Sequence, residues 1–223
     1  MAHQTYAVAR PAESLLATNK LIRNTYLLLS MTLVFSAMTA GVSIATNMPY
    51  MGVLVTLGGY FGLLFLTSYL RNSAWGLLSV FALTGFMGLT LGPMINAYLQ
   101  TFTNGGQLVM LALGGTGAIF LGLSGYALST RKDFSFLGGY VFVGILVAFL
   151  AGIGALIFSL PALSLAVSAV FIMLMSAFIL YQTSEMVHGG ESNYIMATVS
   201  LYVSIYNLFT SLLHLLGAFA GED

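Results

Sequence analysis

The sequence predicts an all-α fold: a polytopic membrane bundle of seven transmembrane helices, with the N-terminus in the cytoplasm and the C-terminus on the far side. Three observations predict it. Charge is scarce, seven apolar stretches reach spanning length, and every basic residue falls on one side of the resulting topology. Of 223 residues, 59% are hydrophobic and 5% charged, with six Lys/Arg against six Asp/Glu. A water-soluble domain needs roughly 25% charged residues to cover its surface. A bilayer must therefore be the solvent for most of this chain. The absence of Cys removes disulfides, thiolate nucleophiles and Cys-based metal sites. A formal net charge of zero, with no basic run, argues against nucleic acid as a partner.

Crossing the hydrocarbon core takes about 20 apolar residues at about 1.5 Å each. Seven stretches qualify: 24–46, 51–70, 74–98, 107–129, 135–158, 162–184 and 194–219. The punctuation between them is local. Asn47-Met48-Pro49, Arg71-Asn72-Ser73, Asn104-Gly105-Gly106, Arg131-Lys132-Asp133, Ser159-Leu160-Pro161 and His188-Gly189-Gly190-Glu191 separate successive helices. Pro and Gly stop helices, and charged residues leave the lipid. This division predicts a cytoplasmic tail at 1–23, one transmembrane domain at 24–219 and a short C-terminal tail at 220–223. Lys20 and Arg23 before an apolar run, with Ser43-Ile44-Ala45 after it, imitate a signal peptide. The run from Tyr26 to Ala45 nevertheless exceeds the about 7–15 residues of a signal core, so a retained first helix is expected.

Orientation follows from basic residues, which mark cytoplasmic loops. Arg10, Lys20 and Arg23 precede the first helix. Arg71 lies between helices two and three, and Arg131 with Lys132 between four and five. The segments assigned to the other side contain no Lys or Arg. Removing or adding one helix would destroy this segregation, so it tests the count as well as the direction.

Glycines predict how the helices pack. Gly85, Gly88 and Gly92 share one face of helix three. Helix four carries Gly114, Gly115, Gly117, Gly122 and Gly125, and helix five Gly144, Gly152 and Gly154. Small residues let helix backbones approach closely in lipid, where no hydrophobic drive pulls helices together. Pro93 after Gly92 predicts a kink whose freed backbone groups need neighbours.

Helix seven carries the clearest functional pattern. Ser200, Ser204, Asn207, Ser211 and His214 recur at steps of four, three, four and three. They span about 80° of arc, a narrow polar stripe expected to face the bundle interior. Such a stripe serves either as interhelical hydrogen bonding or as the wall of a hydrated pathway. Gly122-Leu123-Ser124-Gly125 resembles the serine motif of intramembrane proteases, with His214 as a conceivable base. Counted along their helices the two lie some 20 Å apart in depth, far beyond the about 3 Å that proton transfer requires. Glu185-x-x-His188-x-x-Glu191 contains one Glu-x-x-His unit where di-iron bundles use two, so a solvated loop is expected there. No metal, cofactor or catalytic residue is predicted. The boundaries leave no acid in mid-membrane, which disfavours a proton-driven transporter.

Two passages carry a family resemblance. One is Arg131-Lys132-Asp133-Phe134-Ser135-Phe136-Leu137-Gly138-Gly139. The other runs from Ile179-Leu180-Tyr181-Gln182-Thr183 through His188 to Ser200-Leu201-Tyr202-Val203-Ser204-Ile205-Tyr206-Asn207-Leu208-Phe209. Both resemble the Bax inhibitor family of seven-helix membrane proteins, over about residues 20–219. Asn19-Lys20-Leu21-Ile22-Arg23-Asn24-Thr25-Tyr26 and His188-Gly189-Gly190-Glu191 are similar to a bacterial branch that modulates the membrane-bound ATP-dependent protease FtsH. This resemblance implies a bacterial inner-membrane protein with FtsH as partner. The alternative is a passive calcium leak. Calcium-leak members carry two aspartates that share a proton, with a basic residue near the end of helix two. The matching positions here are Gln182, Ser204 and Arg71. Gln and Ser do not titrate near pH 7, so the resemblance implies the bundle without the family's pH switch.

Overall fold

The computed structural model describes residues 12–221, with side chains from Thr18 onward. Its elements are α1 (Ala12–Ala45), α2 (Val53–Leu70), α3 (Trp75–Thr101), α4 (Gly105–Thr130), α5 (Leu137–Ile157), α6 (Pro161–His188) and α7 (Tyr194–Ala220). Each contains a segment long and apolar enough to cross a membrane. The described residues form no strand. The fold is therefore the expected seven-helix bundle, and the chain is a multi-pass membrane protein. Arg10 and residues 222–223 lie outside the described residues.

Two helices run well past one end of their apolar stretches. α1 begins at Ala12 rather than near 24, because no Gly or Pro interrupts residues 12–24 and polarity alone does not stop a helix. Its 34 residues reach about 51 Å, well beyond a hydrocarbon core of about 30 Å. α6 starts with Pro161, whose fixed φ suits the first turn, and continues past Glu185 to His188. It stops only where Gly189 takes a left-handed φ of 84° and donates its N–H to the Glu185 carbonyl.

Hydrogen bonds tie alternate turns together at one end of the bundle. Asn193 Nδ2 donates to the Arg71 carbonyl and to Asn72 Oδ1, each at 3.0 Å. Phe134 N–H donates to Ser184 Oγ at 2.9 Å, and His188 Nε2 lies 3.1 Å from the Arg131 carbonyl. At the opposite end, Asn96 Nδ2 reaches Asn47 Oδ1 at 3.3 Å. Successive helices thus alternate in direction. Lys20, Arg23, Arg71, Arg131 and Lys132 all belong to the end joined by the first set of bonds, the basic end.

The α1–α3 seam is built on small residues, as the spacing of Gly85, Gly88 and Gly92 predicts. Gly85 faces the Phe35 ring, Gly88 lies against Ser36 and Thr39, and Gly92 lies against Ser43. Pro93 deprives the Leu89 carbonyl of its helical donor. Ser43 Oγ of α1 supplies one instead, at 2.9 Å. The glycines of α4 depart from expectation. A Cβ at Gly114, Gly117, Gly122 or Gly125 would meet nothing within 4 Å, and of the five glycines singled out there Gly115 alone approaches a neighbour, Leu212. On α5, Gly144 and Gly152 face Leu174 and Val167, whereas Gly154 is open. Spacing alone cannot distinguish a glycine that admits a neighbouring helix from one that faces lipid, because both surroundings are apolar.

Candidate functional site

α7 is the central helix of the bundle, packed against α1, α3, α4 and α6. Burial therefore surrounds it, and polar groups hold it on two faces. The predicted stripe forms one. Ser204 is fully buried and donates from Oγ to the Ser200 carbonyl at 2.8 Å. Asn207 Nδ2 donates to the Val203 carbonyl at 2.8 Å. Ser211 is buried, and Ser200 and His214 are partly so. His214 Nδ1 lies 2.8 Å from Ser168 Oγ of α6. Among the described residues this is the stripe's one side-chain bond to another helix. Ser204 and Asn207 turn back onto their own helix, which lets them sit in a low-dielectric interior without a partner across it.

The opposite face of α7 carries a pin that the spacing of polar residues does not reveal. Tyr202 is buried, and its hydroxyl lies 2.6 Å from Ser36 Oγ of α1 while donating to the Thr84 carbonyl of α3 at 3.2 Å. One turn on, the Tyr206 hydroxyl lies 3.1 Å from Thr90 Oγ1. Thr198 Oγ1 approaches the Thr25 carbonyl of α1 at 3.2 Å. Thr198, Tyr202 and Tyr206 recur every four residues. That period was available in the sequence, but tyrosine in a membrane helix also reads as an interfacial anchor.

Gln182 and Ser204, the positions matched to the proton-sharing pair, are buried on the adjacent helices α6 and α7. Gln182 lies about 9 Å below the basic end along α6, and Ser204 about 15 Å below it along α7. Arg71 sits in the α2–α3 turn at the basic end, exposed, and engages α7 through its backbone carbonyl. Ser124 and His214 are kept apart. Ser124 Oγ lies 3.5 Å from Thr183 Oγ1, while His214 faces Ser168. Thr183 and Ser168 are about 22 Å apart along α6, so no Ser–His pair is assembled. The polar loop after α6 closes on itself. Glu191 accepts the N–H groups of Ser192 and Asn193, and Asn193 Oδ1 caps the Ile195 and Met196 N–H groups of α7.

Beside the stripe lies a cleft of about 460 Å³. Tyr60 and Phe61 of α2, Phe86 of α3, Phe149 of α5, and Tyr206 and Asn207 of α7 contribute to its wall. A second hollow of about 620 Å³ shares Tyr60, Phe61, Phe178 and Val203 with it and runs on to Ser68 and Ser200. Among the described residues no carboxylate lines either space.

A family model described as "Inhibitor of apoptosis-promoting Bax1" matches residues 18–221. The chain belongs to the Bax inhibitor family. Other relatives agree over nearly the whole length. The Escherichia coli K12 "Modulator of FtsH protease YccA" is 52% identical over 210 residues, covering 94% of each chain. A Pseudomonas aeruginosa protein is 52% identical over the full length of both chains. A Vibrio cholerae membrane protein is 42% identical, covering 95% of each. In this Bax inhibitor family chain, neither residue at the matched dyad positions titrates near neutral pH.

Proposed function

We propose that this chain is an inner-membrane partner of an FtsH-type ATP-dependent protease, and that it limits the action of the protease on other membrane substrates. The observation that carries this reading is the 52% identity, over 94% of both chains, with the Escherichia coli modulator of FtsH. That protein is also named an inner membrane protein in a second strain. The basic end faces the cytoplasm, by the rule that Lys and Arg collect on that side.

The physical logic rests on resistance to extraction. A processive protease grips a chain terminus and pulls helices from the bilayer one after another. α1, the first helix it would draw, is held by close approach to α3 and by the Ser36–Tyr202 and Ser43–Leu89 bonds. α1 also extends beyond the hydrocarbon thickness on the basic side, where it offers the protease a helical handle. A substrate that is engaged but slow to unravel occupies the protease.

Deleting residues 2–18, which takes away the tail and the first turns of α1, is the direct test, read by co-purification with the protease and by lifetime in growing cells. Loss of co-purification, or a lengthened lifetime, is the expected result. Unchanged binding and turnover would remove the proposed grip, and failure of the intact chain to co-purify would remove the partnership. The calcium-leak reading draws no support from the site, since Gln182 and Ser204 do not titrate and the clefts contain no carboxylate. Calcium flux into liposomes holding the purified chain, with Gln182→Asp and Ser204→Asp alongside, is the corresponding assay.

A further inference from the structure

We infer that the cleft flanked by α2 and α5 holds one acyl chain of a bilayer phospholipid, whose phosphate sits at Arg71. α2 packs on α3 and α5 packs on α6, which leaves a lateral gap bridged by the edge-on contact of Phe61 with Phe149 at 6.3 Å. Behind it lie two adjoining hollows, both lined by Tyr60, Phe61, Phe178 and Val203, which together make up a long space. Along α2 this space extends from Ser68 to Thr56, about 18 Å at helical rise. An unbranched chain fits such a slot better than a compact ligand.

The surroundings select the occupant. An apolar hollow left empty forfeits dispersion contacts along its whole lining. Water needs two to four polar partners to stay in such a space. This wall is largely apolar, and some of its polar groups are engaged. Thr90 and Tyr206 pair with each other, and Asn207 Nδ2 is bound to its own helix. Thr56 Oγ1 is buried with no partner. What lies outside the gap is hydrocarbon.

Charge places the head group. Arg71 keeps helical φ and ψ of −53° and −24°, so the α2 spiral continues through it. It therefore stands one turn beyond Ser68, on the same face. Among the described residues its side chain makes no hydrogen bond or ion pair, and the α2–α3 turn contains no acid. A guanidinium in that position, at the basic end of the slot, matches a phosphate by its paired N–H donors.

The test reconstitutes the full chain in phosphatidylcholine vesicles doped with a phosphatidylglycerol that carries a diazirine midway along one acyl chain. After illumination, adducts are mapped by peptide mass spectrometry. Adducts should concentrate at Phe61, Phe178 and Val203 over Leu113 and Leu121, exposed residues of α4. Arg71→Gln should lower cleft adducts about fivefold, the factor one basic residue contributes near anionic lipid, and leave α4 adducts unchanged. Val203→Trp, which fills the shared segment, should abolish them. Equal labelling of cleft and α4, or labelling indifferent to Arg71, overturns the proposal. So does equal cleft labelling by a free diazirine fatty acid. Because the chain has no native Cys, Val203→Cys offers an independent check. Reaction with a water-soluble maleimide would mean a hydrated cleft and would equally overturn the proposal, whereas an inert thiol supports it.

Discussion

Gly88→Ala is the substitution that most directly tests how α1 is held. A Cβ built at Gly88 falls within contact distance of Thr39 Oγ1 and the Ser36 carbonyl oxygen, and 2.9 Å from Ser36 Oγ. A hydroxyl can rotate away, but a backbone carbonyl moves only if α1 moves. Overpacking of this kind costs about 1–3 kcal/mol. Displacing α1 also stretches the Ser36–Tyr202 and Ser43–Leu89 bonds, each worth about 0.6 kcal/mol in a membrane bundle. The expected loss is therefore about 1–4 kcal/mol. Gly114→Ala is the control: the same chemical change, on α4, where the added methyl meets nothing within 4 Å. It should stay within about 0.5 kcal/mol of the parent. Reversible unfolding of both variants in mixed micelles, followed by circular dichroism as the denaturing detergent fraction rises, gives the comparison. Equal stability of the two variants would refute the claim that close approach at Gly88 secures the first helix.

Tyr202→Phe should lower unfolding stability by about 0.6–1.7 kcal/mol, because it strips the shared hydroxyl from Ser36 and Thr84 while keeping the ring; adding Ser36→Ala should cost less than the two single losses combined, and strict additivity in the same micelle assay would deny the pin. The Asp133 carboxyl, at the exposed α4–α5 turn, is held below its ordinary value of 3.8 by the Ser135 backbone N–H first and the Ser135 hydroxyl second. Its folded value is lower than its unfolded one, so the turn is stabilised above about pH 4 and loses that support as pH falls through the depressed value. Hydrogen exchange at the Ser135 amide should therefore gain an extra acid-side acceleration, which Asp133→Asn abolishes; identical pH profiles would contradict the assignment.

Much of the fold was legible because its determinants are local. Spanning length is a property of one segment, and so are turns such as Arg71-Asn72-Ser73. The grouping of Arg71, Arg131 and Lys132 at one end needed only the parity of the crossings. Helix limits were less legible where polarity and helicity part company. Glu185 looked like an end but lies a turn inside α6, because the helix stops at the first residue able to take a left-handed φ, Gly189. The site was half legible. Spacing picked out the stripe from Ser200 to His214, and five polar residues on one line did mark a buried face. That spacing could not show that Ser204 and Asn207 bond within α7. Nor could it show that Tyr202 pins α1 and α3 from the other side.

By itself, the sequence determined the number of helices, their alternation and the collection of cations at one end, because water, hydrocarbon and charge discriminate strongly along the membrane normal. Only the tertiary structure decided which helices touch, why Gly88 is enclosed while Gly114 is open, and where α2 and α5 leave a cleft. Within the membrane plane, lipid and protein are equally apolar. Hydropathy is silent about direction there, and shape alone chooses the neighbour.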